Sequence, residues 1–178
     1  LSCWSVDDNN ADSDEWEIQT SSTYANSGDQ SYQIYTDYNS GANDDYLISP
    51  AIGLTGNEQL RFYQRVRSST EPNDFEVLLS TTGTAPADFS TTLLANTSYS
   101  NTSYQEILID LSSYSGTVFI AIHVLNGGLD GYYLYIDDFT IEAIPTCPDP
   151  SGLSAGSILG TQAELSWTDN AGASQWDI

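Results

Sequence analysis

A chain of 178 residues with three Lys or Arg against 25 Asp or Glu carries a formal charge of −22 and an isoelectric point near 4.1. That balance excludes a nucleic-acid binder, which needs a basic footprint against the phosphates, and argues against docking on anionic lipid. Unneutralised charge of this size opposes a compact state. The acids divide into 17 Asp and 8 Glu, and Asp is a short carboxylate suited to hard cations such as calcium. The total therefore points either to bound cations or to a solubilising surface.

With 39% hydrophobic and 12% aromatic residues the chain has a core to bury. No apolar run approaches the roughly 18 residues of a membrane span, so insertion is not expected. Nothing at the start reads as a signal peptide, and Leu1 together with the absence of Met leads us to expect a processed piece of something larger. In chain order, Cys3 comes first, and its only possible intrachain partner is Cys147. A bridge between them would tie the first strand to the exit of the last in an oxidising compartment; free buried thiols are the alternative. Next, Asp8, Asn10, Asp12 and Asp14 alternate ahead of Trp16. An EF-hand needs Gly at the sixth loop position and Glu at the twelfth, and Ser13 and Gln19 stand there instead, so that reading fails.

Short β-rich runs separated by Gly, Asn, Asp, Ser and Thr then follow, with no helical periodicity. Strands are predicted at residues 15–20, 31–36, 46–49, 59–67, 75–81, 104–110, 117–125 and 134–142. In the fourth, Leu60, Phe62, Gln64 and Val66 take one face, and Arg61, Tyr63, Arg65 and Arg67 take the other. All three cations of the chain thus share one strand face. They form either a strip suited to carboxylates, sulfates and sugar rings, or a cross-strand network with nearby acids. Asn96-Thr97-Ser98 and Asn101-Thr102-Ser103 match the N-glycosylation pattern.

The run at 117–125 is apolar on both phases after Thr117 except for His123, the single His, which predicts a central strand. A lone His in such a strand, with no nucleophile elbow in the sequence, reads as a packed or hydrogen-bonded residue and not as a base. One His and two distant Cys also give no zinc spacing. Within 134–142, Leu134 and Ile136 set one phase, and Phe139 and Ile141 the other. The slip falls at Asp137-Asp138 and predicts a β-bulge whose carboxylates require a cation or hydrogen-bond donors. Tyr132, Tyr133 and Tyr135 lie just before it, as core, rim or part of a glycan platform.

Four stretches together resemble the cleaved-adhesin, or choice-of-anchor J, domains of secreted Bacteroidetes proteins, relatives of the gingipain adhesin modules and of the MAM-like jelly rolls. They are Cys3-Trp4 with the acidic loop and Trp16; Asp44-Asp45-Tyr46-Leu47-Ile48-Ser49-Pro50-Ala51-Ile52; Phe75 through Gly83 leading to Asp88-Phe89; and Tyr135-Ile136-Asp137-Asp138-Phe139-Thr140-Ile141. The resemblance implies an all-β jelly-roll β-sandwich over residues 1–143. It also implies structural calcium held by Asp8, Asn10, Asp12 and Asp14 with Asp137 or Asp138, and further oxygens from Ser31 and Gln33. Gln33 stands where family members carry Glu, which lowers the charge available to a second site. Magnesium, which keeps its waters, suits such a carboxylate cage less well.

Residues 144–150 read as a Pro-punctuated linker, and residues 151–178 resemble the opening of a fibronectin type III domain. A complete domain of that kind needs about 100 residues, so the segment is a truncated stump whose third strand would start at Trp176-Asp177-Ile178. The expectation is a non-catalytic adhesion or accessory module of a larger secreted or cell-surface bacterial protein, of a kind often exported by type IX secretion. Its partners would be other domains of the parent protein and a glycan or a host or surface protein. A carbohydrate-binding module appended to a polysaccharide-degrading enzyme or peptidase is the alternative, with Arg61, Tyr63, Arg65 and Arg67 as its ligand residues.

Overall fold

Period-two alternation along the chain produces antiparallel strands that bury one face each. The computed structural model describes residues 3–37, 43–145 and 150–170, and the chain divides into two units, residues 1–143 and 144–178. In the first unit, β1 (Ser5–Asp8), β4 (Asp45–Ile48), β10 (Gly116–Val124), β7 (Asn73–Ser80) and β8 (Thr91–Tyr99) lie side by side in that order, and β5 (Ile52–Leu54) also pairs with β10. The second sheet runs β2 (Glu17–Gln19), β3 (Ser31–Tyr35), β11 (Tyr133–Ala143), β6 (Glu58–Val66) and β9 (Gln105–Asp110). Two antiparallel sheets with non-sequential neighbours make the expected jelly-roll sandwich.

The inner faces meet in one core. Trp16, Phe62, Phe75, Ile120, Ile122, Leu134 and Ile136 are buried there, each aliphatic or aromatic side chain contributing about 1.5–3 kcal/mol relative to exposure. Strand β10 lies between β4 and β7, and its outward residues are covered too. Ala121 belongs to a small outer cluster with Tyr46, Ile48, Leu78 and Phe89.

Three strands escaped the sequence reading. β1 (Ser-Val-Asp-Asp) and β5 are too short or polar to show a period, and β8 is a Thr-rich strand, much of it exposed, at the edge of its sheet. The predicted bulge is present: Asp137 pairs with Tyr63 and Thr140 with Arg61, so β11 carries one extra residue there. Asp138 takes φ 51°, left-handed backbone that Asp tolerates better than most side chains. Phe139 and Ile141 consequently turn toward the core on the far side of the bulge.

In the second unit, β12 (Ser151–Leu159) and β13 (Gln162–Thr168) pair as an antiparallel hairpin. Its side chains Leu153, Ile158, Leu159 and Leu165 are exposed. Cys147 and residues 176–178 lie outside the described residues. Among the described residues no helix is long and apolar enough to cross a membrane.

Candidate functional site

The acidic loop between β1 and β2 is built by its own side chains. Asp8 accepts backbone N–H donors from Asp12 (3.2 Å) and Ser13 (3.0 Å), while Asp12 accepts from the Asp14 backbone (2.9 Å) and from the Asn10 amide (2.9 Å). Short polar side chains bonding to nearby backbone hold such turns, here with Ala11 and Ser13 at φ 58° and 78°. The strand register sets Asp8 opposite Asp45, the first residue of β4. Trp16, fully buried, closes over this end and donates its indole N–H to the Asp45 carbonyl (3.4 Å).

Asp45 is completely buried. One of its carboxylate oxygens accepts from the Asn43 amide (3.0 Å) and the Asp44 backbone (3.2 Å), and the other, Oδ1, has no hydrogen-bond partner. Burial pushes this carboxyl up to about 7; the bonds from Asn43 and Asp44 pull it down, and the neighbouring charges of Asp12 and Asp8 push it further up. Among the described residues no three His, Cys, Asp or Glu side chains converge as a ready metal-ligating group. The donors near Asp45 are hard oxygens, which suit calcium and not a metal that prefers imidazole or thiolate.

The bulge is satisfied differently. Asp137 accepts backbone donors from Asn26 (2.6 Å), Ser27 (3.3 Å) and Asp138 (2.8 Å), and Asp138 accepts from the Asn26 amide (2.8 Å) and the Ser27 hydroxyl (2.5 Å). All four carboxylate oxygens therefore meet donors, one of the two ways in which the sequence could pay for them. Burial pushes the Asp137 carboxyl up in spite of these bonds. Ser31 shares a cavity of about 250 Å³ with Asp137, Gln30, Ile18 and Tyr32. Gln33 is instead bonded to Gln19 (3.0 Å) and Glu17.

The three arginines part company on the outer face of the second sheet. Arg61 pairs with Glu142 at 3.0 Å and lies 3.9 Å from Glu106. Tyr63 donates its hydroxyl to Glu106 (2.9 Å). Arg65 stands over the rings of Tyr135 (5.0 Å), Tyr24 (5.6 Å) and Tyr104 (5.6 Å), and Arg67 over Tyr24 (4.6 Å). Hydrogen bonding to Tyr24 and then to Tyr135 holds the Arg67 guanidinium above its ordinary range. The network of arginines with acids thus forms at Arg61, and tyrosines take its place at the other two.

His123 sits on the outer face of the first sheet, Nδ1 2.9 Å from Glu76 and Nε2 2.9 Å from Asp44, with Tyr46 stacked on its ring at 3.9 Å. Burial pushes the Tyr46 phenol up to about 12. Both imidazole nitrogens are engaged by carboxylates, which leaves neither to activate a nucleophile. Cys3 is exposed. Asn96 donates its amide to Asp74 (2.6 Å), and Asn101 donates to the Gln64 and Ser103 carbonyls.

The family model described as "Cleaved Adhesin Domain" matches residues 2–141. The chain belongs to the cleaved-adhesin family. It is 30% identical over 117 residues to Hemagglutinin A of Porphyromonas gingivalis; the match covers 56% of this chain and 4% of that protein. The crystal structure of the K1 cleaved-adhesin domain of Lys-gingipain from P. gingivalis W83 is similar with a TM-score of 0.68 and 20% identity, over 80% of this chain and 91% of that one. The structure of TmCBM61 in complex with β-1,4-galactotriose shares the fold at a TM-score of 0.50 and 14% identity, over 79% of this chain and 88% of that one.

Two features of this cleaved-adhesin domain were not anticipated. In sequence Asp45 stands out only within the stretch 44–52 that carries the family resemblance, although the doublet Asp44-Asp45 beside an apolar run is a signal of the same kind as Asp137-Asp138. Tyr24 carries no pattern in sequence, since its ring reaches the arginines across about 40 residues of chain.

Proposed function

We propose that residues 1–143 act as a non-catalytic, extracellular adhesion module of a larger protein, and that calcium held at the acidic loop stabilises the fold. The observation that carries the calcium reading is the buried, unpartnered Asp45 Oδ1 beside Asp8 and Asp12. Asp8, Asp12 and Asp45 would supply carboxylate oxygen, with Asn10 and Asp14 completing the loop's share. The bound cation would supply positive charge to a cluster that otherwise keeps a carboxylate out of water. Membership of the cleaved-adhesin family, and the small share of Hemagglutinin A that the chain spans, support the part of a module in a larger protein. The hairpin of the second unit would be the start of a fibronectin type III-like sandwich.

Thermal melting of the chain in chelator and in millimolar calcium tests the metal. A midpoint several degrees higher in calcium than in magnesium is expected; equal midpoints would remove calcium from the account. A second reading, a carbohydrate-binding accessory module, is favoured by the tyrosines and arginines gathered on the outer face of the second sheet.

A further inference from the structure

We infer that the outer face of the second sheet, at the end where β3, β11 and β6 meet, binds an acidic sugar residue carried singly on an otherwise neutral glycan. The inference rests on the carbohydrate-binding reading and names its site and ligand class. Strand register places Tyr133 opposite Tyr35 and Tyr135 opposite Arg65, and the Arg67 backbone N–H bonds to the Tyr133 carbonyl at 2.9 Å. Ring centroids run 5.0 Å from Tyr35 to Tyr133, 6.1 Å from Tyr133 to Tyr135, and 5.2 Å from Tyr135 to Tyr24, the last pair nearly parallel at 4°. Tyr135 is itself buried under Tyr24 and Arg65 and anchors the row, while the half-buried rings of Tyr24, Tyr35 and Tyr133 present flat apolar surface with polar rims, the surface against which the C–H face of a pyranose stacks.

Charge selects among sugars. In a chain with three cations and 25 acids, Arg65 and Arg67 have no carboxylate ion pair among the described residues. Arg67 is exposed, and its planar fork can bind a carboxylate through two N–H donors. Beside the tyrosine row lies a cavity of about 310 Å³, lined by Tyr35 and Tyr133 of the row and by Ser13, Asp14, Glu15 and Glu17. Those carboxylates accept hydrogen bonds from neutral hydroxyls and repel a second anion. Two guanidinium groups in a field of −22 therefore suit one anionic sugar flanked by neutral ones, and a dense polyanion is turned away.

The test is an array pairing neutral xylo-, galacto- and gluco-oligosaccharides with counterparts that bear one glucuronate or galacturonate, with polygalacturonate as the dense polyanion, followed by calorimetric titration of the full chain. At least one singly acidic member is expected to bind tenfold or more tighter than its neutral parent, and polygalacturonate more weakly per site. Arg67→Gln should abolish the acidic preference, Tyr133→Ala should weaken neutral and acidic binding alike, and Thr92→Ala, on the exposed edge strand of the other sheet, should change neither. Circular dichroism melts establish that each variant is folded, and Arg67→Lys, which keeps charge without the fork, should retain part of the preference. Equal binding of acidic and neutral members, tightest binding to polygalacturonate, or an Arg67→Gln variant that still discriminates would each overturn the assignment. Silence across the whole array would overturn it together with the carbohydrate-binding reading, while leaving calcium-stabilised adhesion to its own melting test.

Discussion

Asp45 opens a strand that runs between two others, so neither its backbone nor its side chain reaches water. Its carboxyl titrates at about 7 in the folded chain and near 4 when unfolded. Folding therefore favours the protonated form: the contribution of this group to stability is full below pH 4 and is lost as pH rises through 7. A shift of that size corresponds to something on the order of 4 kcal/mol. In chelator, the melting midpoint should fall between pH 5 and pH 8, because the carboxyls held low, Glu58, Glu142 and Asp110, have finished titrating below that window. Asp45→Asn should flatten the decline, raise the metal-free midpoint at pH 8, and remove most of the response to calcium. A variant that kept the slope would show that another group causes it, Asp137 being the first to examine since burial raises it too.

At the scale of the element, the bulge in β11 converts one phase slip into two structural results. It turns Phe139 and Ile141 into the core beyond Ile136, and it points the Asp137 and Asp138 carboxylates at the turn of residues 26–27. Asp138 is at once strained, at φ 51°, and bonded, to Asn26 and Ser27. Removing the bonds and relieving the strain separate in two variants. Asp138→Ala loses both hydrogen bonds and keeps the left-handed backbone, so it should cost about 1–3 kcal/mol. Asp138→Gly loses the same bonds and gains freedom at positive φ, so it should cost less. Urea midpoints in the order wild type, Gly variant, Ala variant are expected; an Ala variant as stable as the Gly variant would mean that the backbone there is unstrained.

The slip itself was legible in sequence because apolar residues on both sides record it, and so was the central position of β10 from apolar residues on both its phases. The edges were not: β1 and β8 are held by pairing to one neighbour, and their polar residues leave no periodic trace. The arginine face of β6 was readable as a face, since alternation fixes which side chains share it. Which acids would reach it was not, because Glu142 and Glu106 arrive from strands on either side and Tyr24 from a separate turn.

For the molecule as a whole, the charge of −22 sets the solution behaviour. With few cations to answer the acids, self-repulsion opposes compaction and is screened by salt. The melting midpoint in chelator should rise by several degrees between 10 mM and 500 mM sodium chloride at pH 7.5, measured by calorimetry. A flat or falling midpoint would show that the acids are already neutralised by contacts within the fold. If the proposed calcium site at Asp45 is present, calcium at low millimolar concentration should exceed the effect of sodium at matched ionic strength, because a site acts locally while screening acts everywhere.

Composition and alternation alone sufficed for the all-β class, most strands with a buried face, the bulge, and the gathering of all three cations on one strand face. These are properties of neighbouring residues, and period two or total charge expresses them along the chain. Partnership was a different matter. The burial of Asp45 against Asp8, the donors that satisfy Asp137 and Asp138, the carboxylates that hold His123, and the division of the arginines between a glutamate and a tyrosine row are contacts between distant segments. A carboxylate's cost and an arginine's availability depend on what the folded sheets bring within a few ångströms, and only the register and stacking of strands far apart in sequence decide that.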